Sequence, residues 1–292
     1  YMVKTFSKIS IIMNCYNGEE YLRESLKSIL TQSYLNWELI FFDNNSKDNS
    51  KKIFRSFKDK RFRYFFSSKL LSLYNARNVA LEKTKGDYIS FLDVDDIWEK
   101  NKLKTQLKKI KQTKTDFVYS NYNYLKDNTL SISFKKKQPE GFISNALLQR
   151  PFIPLMTVFF KKKILKENNL KFDKQFNIIG DFDLFFRLSQ IVAFSYIHEP
   201  LAIYRKHLQN FSILNTSLFV KEYNLWLKQN KKMLDKTAIK NLKYLISYLS
   251  VKTHIFNSKY FLAIKEFIKY PLSFNKFKLF AFFLLPKKYF NF

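Results

Sequence analysis

The chain has 292 residues, 46% hydrophobic and 26% charged, which is ample apolar material for a packed core and excludes disorder by composition. Fifty-two Lys and Arg against 24 Asp and Glu leave a formal charge of +28, a balance that points to an anionic partner: nucleic acid, anionic lipid or a phosphorylated substrate. The four glycines, Gly18, Gly86, Gly141 and Gly180, are spaced too widely for a glycine-cradled dinucleotide site or a P-loop. The lone Cys15 excludes an intramolecular disulfide and a cysteine-rich zinc cage, and three histidines leave little room for a multi-histidine metal centre.

The joint abundance of Lys, Phe, Asn, Ile and Tyr also fits AT-rich coding bias, so plain solvated surface is the competing account of the charge. The apolar run after Lys8 turns polar at Asn14, too soon for a signal-peptide core, and no stretch of ~18 apolar residues exists to cross a bilayer. A cytoplasmic protein is the expectation, with peripheral attachment to the cytoplasmic face of a membrane as its extension.

Residues 9–13 read as a buried strand, followed by a loop at Asn14 to Gly18. Asn17 is expected to cap the next helix, with Glu20 in capping-box spacing and Leu22, Leu26, Ile29 and Leu30 forming its buried stripe. A second strand at 38–42 breaks into Asp43-Asn44-Asn45-Ser46. A helix around Ile53 to Phe57 and a strand at 61–66 follow. Residues 73–85 read as a helix with Gly86 at its C-cap. The fourth strand, 88–92, breaks into Asp93-Val94-Asp95-Asp96. This alternation predicts right-handed βαβ units, a mostly parallel sheet, and polar loops gathered at the carboxyl edge, where such sheets bind ligands. Beyond it come a helix through Leu103, Leu107 and Ile110, a strand at 117–125, and an irregular basic stretch at 126–150. A strand at 157–160, helices at 162–168 and from Gly180, and a strand at 202–207 complete this part.

Asp93 and Asp95 flank one residue at a strand end, a spacing that suits one hard divalent cation shared with phosphate oxygens and water. The alternatives are an acidic turn with Asp96 capping a helix, and a D-x-D phosphatase with Asp93 as nucleophile. The phosphatase pattern prefers Thr or Val where Asp96 stands, and an earlier strand. Asp43 suits a hydrogen bond to a base or ribose, or an Asx turn; Tyr16 could stack on a base at the sheet edge, or be a partly buried loop aromatic.

Taken in order, several segments resemble the family 2 inverting glycosyltransferases of bacterial surface polysaccharide synthesis. They are Ser10 to Asn17, Leu30 to Tyr34, Trp37 to Ile40, Asp43 to Ser46, Ala76-Arg77-Asn78, Gly86 to Ile89, Phe91 to Asp96, Asp181 to Leu184, and Tyr204 to His207. The resemblance covers about residues 8–212. It implies a GT-A fold (Rossmann-like, helices on both faces), a nucleotide-diphosphate sugar donor, UDP foremost, and a divalent metal, Mg²⁺ or Mn²⁺. It assigns Asn14, Tyr16 and Asp43 to base and ribose, and Asp93 to ribose or a metal-bound water. Arg77 and Asn78 join the nucleotide side, with packing as their alternative. Asp95 and His207 fall to the metal, Arg205 to the diphosphate and Asp181 to the catalytic base. Gly180 departs from the acidic residue usual before that base, and Leu70-Leu71-Ser72 stands where the family often has glycine. Trp98 is the candidate platform for an acceptor sugar, with packing beside the loop as its alternative.

Residues 213–292 carry fifteen Lys, no Arg and three acids, +12 in all, interleaved with aromatics such as Phe277, Phe280, Phe282 and Phe283 ahead of Pro286-Lys287-Lys288. The chain is thus expected as a GT-A domain over 1–212 and a basic helical region over 213–292. That composition fits an interfacial helix on anionic lipid serving a glycan or lipid-linked acceptor, or helices packed on the catalytic domain. A nucleic-acid-binding protein would account for the charge, but no helix-turn-helix, RRM or zinc-finger pattern supports one, and no nucleic-acid partner is expected. A non-catalytic membrane-binding protein would leave the three polar strand ends unexplained.

Overall fold

The computed structural model describes residues 7–271 and 274–284. Its first strand, β1 (Ile9–Cys15), is buried at every position but Asn14, as a continuous apolar run inside a parallel sheet must be. Helix α1 (Glu19–Leu30) turns the expected stripe of Leu22, Leu26 and Ile29 inward. The expected Asn17 cap does not form. Asn17 adopts a left-handed φ of 51° and its Oδ1 accepts the Lys47 N–H at 2.8 Å. The helix's first amides turn instead to the loop after the second strand: Gly18 N–H donates to Ser50 Oγ at 3.0 Å and Glu19 N–H to Asp48 Oδ2 at 2.9 Å.

Strand β2 (Trp37–Asp43), helix α2 (Ser50–Ser56), strand β3 (Phe62–Phe66), helix α3 (Leu73–Glu82) and strand β4 (Tyr88–Phe91) complete the βαβ series. The strands lie β3-β2-β1-β4, all parallel, with Ile12 opposite both Ile40 and Phe91. Helix α3 stops at Glu82, so Gly86 is not its cap. A Cβ at Gly86 would lie 2.6 Å from the Ser10 nitrogen, and its N–H donates to Ser10 Oγ at 2.8 Å. Close backbone approach, not helix termination, requires the glycine.

The sheet continues through β5 (Ile97–Trp98), helix α4 (Lys102–Thr113), the hairpin of β6 (Phe117–Lys126) and β7 (Thr129–Ile132), and helix α5 (Ser144–Gln149). Then come β8 (Val158–Lys161), α6 (Lys163–Glu167), α7 (Gly180–Ser189) and β9 (Phe194–Arg205). Asp127 and Asn128 turn the hairpin at φ 48° and 60°, the pair of positive φ values that a type I′ turn demands. The full order is β3-β2-β1-β4-β8-β6-β9-β5, with β7 on β6. β8 runs antiparallel to both neighbours, so the second half of the sheet is mixed.

A polar chain crosses the interior. The fully buried Lys102 Nζ donates to Ser90 Oγ at 3.2 Å and to Gln106 Oε1, and lies 4.4 Å from the Trp98 ring centre. Gln106 Nε2 in turn donates to the Thr157 carbonyl at 2.7 Å. Burial holds the Lys102 pKa well below the usual lysine range.

The chain divides into two compact units. The first comprises Tyr1–Ser144, Phe152–Gln175 and Gly180–Lys206; the second comprises Asn145–Pro151, Phe176–Ile179 and His207–Phe292. Within the second unit lie α8 (Phe211–Leu214), α9 (Thr216–Asn230), α10 (Lys236–Phe256), α11 (Tyr260–Lys269) and α12 (Phe274–Leu284). Asp235 caps α10, accepting the Ala238 N–H at 2.6 Å. The buried carboxylate of Glu222 accepts N–H groups from Asn177, Ile178 and Ile179 at 2.8, 3.0 and 3.2 Å. Val251, Ile255, Ala263, Tyr270 and Leu279 form this unit's own core. Among the described residues no helix is long and apolar enough to cross a membrane. Pro286-Lys287-Lys288 lies outside the described residues.

Candidate active site at the carboxyl edge of the sheet

The three polar loops meet, as parallel strands require. Asn44 N–H donates to the Cys15 carbonyl at 2.7 Å, and Asn17 N–H to Ser46 Oγ at 3.0 Å. Ser25 Oγ on α1 lies 2.7 Å from the carbonyl oxygens of both Val94 and Asp96, which share its one proton. A Cβ on Gly18 would stand 2.8 Å from Val94 Cγ2, so the first loop abuts the D-V-D-D turn. Cys15 sits beneath this junction. Burial pushes its thiol up to about 11, which leaves it without nucleophilic character near neutral pH.

Asp93 and Asp181, 88 positions apart, are linked through two residues of α3. The Arg77 guanidinium donates to Asp93 Oδ1 at 2.8 Å and lies 5.1 Å from the Tyr74 ring centre. Tyr74 donates its hydroxyl proton to Asp181 Oδ1 at 3.1 Å. Arg77 and Tyr74 are buried three residues apart on one face of the helix. Burial works against the Arg77 charge, but Asp93, Tyr74 and Asp181 outweigh it and hold the guanidinium more firmly protonated than usual. The Asp181 pKa is raised by burial, against the opposing pull of Arg77, the Phe182 N–H and the Tyr74 hydroxyl. A partly buried carboxylate of raised pKa at a helix start is chemically a proton acceptor. Tyr74 also explains the departure at Gly180: a Cβ there would come within 2.5 to 2.7 Å of three Tyr74 ring carbons.

In the D-V-D-D turn, Asp95 is partly exposed while Asp96 is buried. Burial, then the neighbouring Asp95 and Asp93 charges, drive the Asp96 pKa well above the carboxylate range. Its Oδ1 accepts the Arg205 backbone N–H at 3.1 Å, so Asp96 ties β9 to the turn and caps no helix. Arg205 donates Nε–H to the Asp95 carbonyl at 3.0 Å, pairs with the Glu24 carboxylate on α1, and packs 4.7 Å from the Tyr21 ring centre. His207 belongs to the second unit. There its N–H donates to Asn210 Oδ1 at 2.8 Å, and its Nε2 lies 2.9 Å from Asn210 Nδ2.

Asn14, next to last in β1, has both side-chain polar atoms buried and, among the described residues, neither Nδ2 nor Oδ1 hydrogen-bonded. Tyr16 is exposed beside it. Asp43 is buried and braces the loop after β2, accepting the Ser46 N–H at 2.8 Å and the Tyr64 hydroxyl at 2.6 Å. Two residues have the contacts that their packing alternatives call for. Asn78 commits both ends of its amide to the Phe172 backbone, at 2.8 and 3.0 Å, and so fastens the 172 segment to α3. Trp98 is buried, with its indole N–H donating to the Met156 carbonyl at 3.0 Å, and offers no ring face to an acceptor. Tyr74 and Glu24 escaped the sequence reading. Tyr74's three-residue spacing from Arg77 was its one available signal.

Among the described residues no three His, Cys, Asp or Glu side chains converge as a ready metal cage. Asp95 with Asp93 supplies one or two carboxylates at an open edge, which fits a hard cation whose other ligands are phosphate oxygens and water.

A mostly parallel sheet with an acidic turn and a half-buried carboxylate linked at its carboxyl edge is the GT-A glycosyltransferase architecture. The sequence model of Glycosyl transferase family 2 matches residues 10–188, and the chain belongs to that family. It is 35% identical over 164 residues to the UDP-Glc:alpha-D-GlcNAc-diphosphoundecaprenol beta-1,3-glucosyltransferase WfgD of Escherichia coli, covering 56% of this chain and 64% of that protein. It is 32% identical over 247 residues to an uncharacterized glycosyltransferase of Haemophilus influenzae, covering 82% of this chain and 94% of that one. S. aureus TarS 1–349 in complex with UDP-GlcNAc shares the fold, with a TM-score of 0.61 at 17% identity over 89% of each chain.

Proposed function

We propose that this glycosyltransferase moves a sugar, with inversion, from a nucleoside-diphosphate sugar to a hydroxyl of a glycan or lipid-linked acceptor in surface polysaccharide synthesis. UDP is the favoured nucleotide: WfgD is named for UDP-Glc, and TarS was solved with UDP-GlcNAc. A lipid-diphosphate acceptor is drawn from the same WfgD name, and the lysine-rich second unit suits one held at an anionic membrane.

The observation that carries the reading is the linkage of Asp93 to Asp181 through Arg77 and Tyr74. In-line attack forms a bond from the acceptor oxygen to the anomeric carbon as the bond to the diphosphate oxygen breaks. The electron pair leaves with the diphosphate, and the hydroxyl proton goes to Asp181 Oδ2 or Oδ1. Burial makes that carboxylate a better acceptor, while Tyr74 and Arg77 keep it ionised and aimed. Asn14's unpaired amide and the exposed Tyr16 ring offer hydrogen bonds and a stacking face to the base, with Asp43 and Asp93 on the ribose side. Asp95 would hold Mg²⁺ or Mn²⁺, with Asp93 on the ribose or a metal-bound water; when bound, the ion neutralises charge on the leaving diphosphate. Arg205 adds a guanidinium beside the same turn.

The test is thermal shift of the purified protein against UDP, GDP, dTDP and ADP, each with and without Mn²⁺, followed by nucleotide-release assays with the sugar donors of the nucleotide that binds. A metal-dependent shift with one nucleotide supports the reading. The absence of any shift, alongside salt-sensitive binding to DNA or RNA, overturns it.

A further inference from the structure

Helices α11 and α12 each carry an apolar stripe left exposed among the described residues. Phe261, Ile264 and Ile268 are exposed on α11, Phe261 at 81% and Ile268 at 69%; Phe277, Phe280 and Leu284 are exposed on α12, Leu284 at 71%. Both triplets run i, i+3, i+7, which puts each set on one side of its helix. The opposite sides are spent on the core: Ala263 and Leu279 are fully buried there, with Phe267 and Phe283 packed against them. The Phe267 ring lies 5.4 Å from that of Phe283 and 6.3 Å from that of Phe280, so the two helices are neighbours. Single exposed apolar residues are ordinary; two matched stripes on adjacent helices are not.

The charge around them selects the occupant. From residue 236 to 284 nine lysines face a single acid, Glu266. Lys265 and Lys269 stand exposed beside the α11 stripe, and Lys278 is exposed on α12. A second copy of the chain would set these lysines against their own counterparts with little acid to offset them. An anionic lipid surface supplies the opposite charge together with an apolar layer. At ten and eleven residues the helices are far too short to span a bilayer, but suited to lie in its plane.

We propose that α11 and α12 form an interfacial platform that docks the second unit on a bilayer containing anionic lipid, apolar stripes inserted at the headgroup level and lysines against lipid phosphates. This deepens the membrane-acceptor reading, yet it is tested by vesicle binding, a readout separate from turnover.

The full chain is floated with phosphatidylcholine vesicles and with vesicles containing about one third phosphatidylglycerol, at low and high salt. Binding to the anionic vesicles, weakened by salt, is expected. Phe261→Ser/Ile268→Ser/Phe277→Ser should cut partitioning on the order of tenfold or more. Lys265→Glu/Lys269→Glu, which leaves the stripes intact, should weaken it about fivefold per lysine. All these side chains are exposed, and circular dichroism with the UDP thermal shift verifies that each variant is folded. Failure of the wild type to float with anionic vesicles overturns the proposal, as does flotation that both sets of substitutions leave unchanged. So does a concentration-dependent dimer in sedimentation that the serine variant dissolves, because a second copy would then be the occupant.

Discussion

Tyr74 and Asp181, 107 positions apart in sequence, share a hydrogen bond of 3.1 Å in which the buried phenol donates to the carboxylate. The phenol cannot act as an acid near neutral pH, since burial first and the Asp181 charge next raise its own pKa well above the usual tyrosine range. It is therefore a fixed donor that favours the ionised form of Asp181. Tyr74→Phe removes that donor and leaves the ring in place. The Asp181 pKa then rises further, because only the ionised form gains from the bond. The expected outcome is an acidic limb of the kcat/KM profile displaced to higher pH, with the loss concentrated below neutrality. An unmoved limb, or one displaced downward, would show that the contact plays no part in setting the base.

The same ring dictates Gly180. Adding a methyl group there meets Tyr74 carbons at 2.5 to 2.7 Å, and α3 is packed too tightly to retreat. Gly180→Ala should cost about 1–3 kcal/mol by overpacking, read as a drop of several degrees in Tm. In a Tyr74→Leu background the same change should cost almost nothing further, so the double-mutant cycle yields a coupling close to the whole penalty. Additive effects would mean that the glycine serves the helix start alone.

How much of this was legible beforehand differs by element. Three of the four parallel strands, β1, β2 and β4, follow with their polar ends from short apolar runs broken by Asn and Asp, a local signal that needs no partner. Two-residue β5 and the first half of β9 carry no periodicity long enough to read. Asn17 and Gly86 have local signatures of caps, but tertiary partners claimed them first: Lys47 for one and Ser10 for the other. Trp98 and Lys102 look like surface chemistry in sequence because nothing local announces burial of an indole and a lysine amine side by side. The link from Asp93 to Asp181 joins segments whose separation hides it entirely; only the shared face of Tyr74 and Arg77 hinted at it.

Asp95 is the position on which metal-dependent nucleotide binding turns. Its carbonyl receives the Arg205 Nε–H, a contact that Asp95→Ala preserves. The variant should unfold within a few degrees of wild type yet lose the Mn²⁺-dependent part of the UDP thermal shift and at least about a hundredfold in turnover. Retention of a metal-dependent shift would relocate the cation to other ligands.

Lys102 makes a prediction about stability alone. Its folded pKa lies well below the unfolded value of about 10.4. Between those two values the unfolded chain binds more protons than the folded one, so stability increases as pH rises, by at most about 1.4 kcal/mol per pH unit. The gain is complete above the unfolded pKa and is progressively withdrawn as pH falls toward the folded one. Lys102→Met should flatten this slope in urea titrations over the alkaline range just below the unfolded pKa. A slope equal to that of wild type would mean that the buried amine holds its proton as firmly as an exposed lysine does.

Asn14 sets stability against binding. An amide buried with neither end hydrogen-bonded among the described residues costs about 1–3 kcal/mol relative to a satisfied one. Such a cost is tolerated where the group is reserved for a ligand. Asn14→Leu, close in volume and free of polar atoms, should therefore stabilise the protein without nucleotide by about 1 kcal/mol. The same change should weaken UDP binding on the order of tenfold, the worth of one or two ligand hydrogen bonds. Denaturant unfolding with and without UDP reads both effects in one series. A variant that is destabilised in both states would make Asn14 a structural residue of β1, and one that binds UDP as well as wild type would remove it from the nucleotide site.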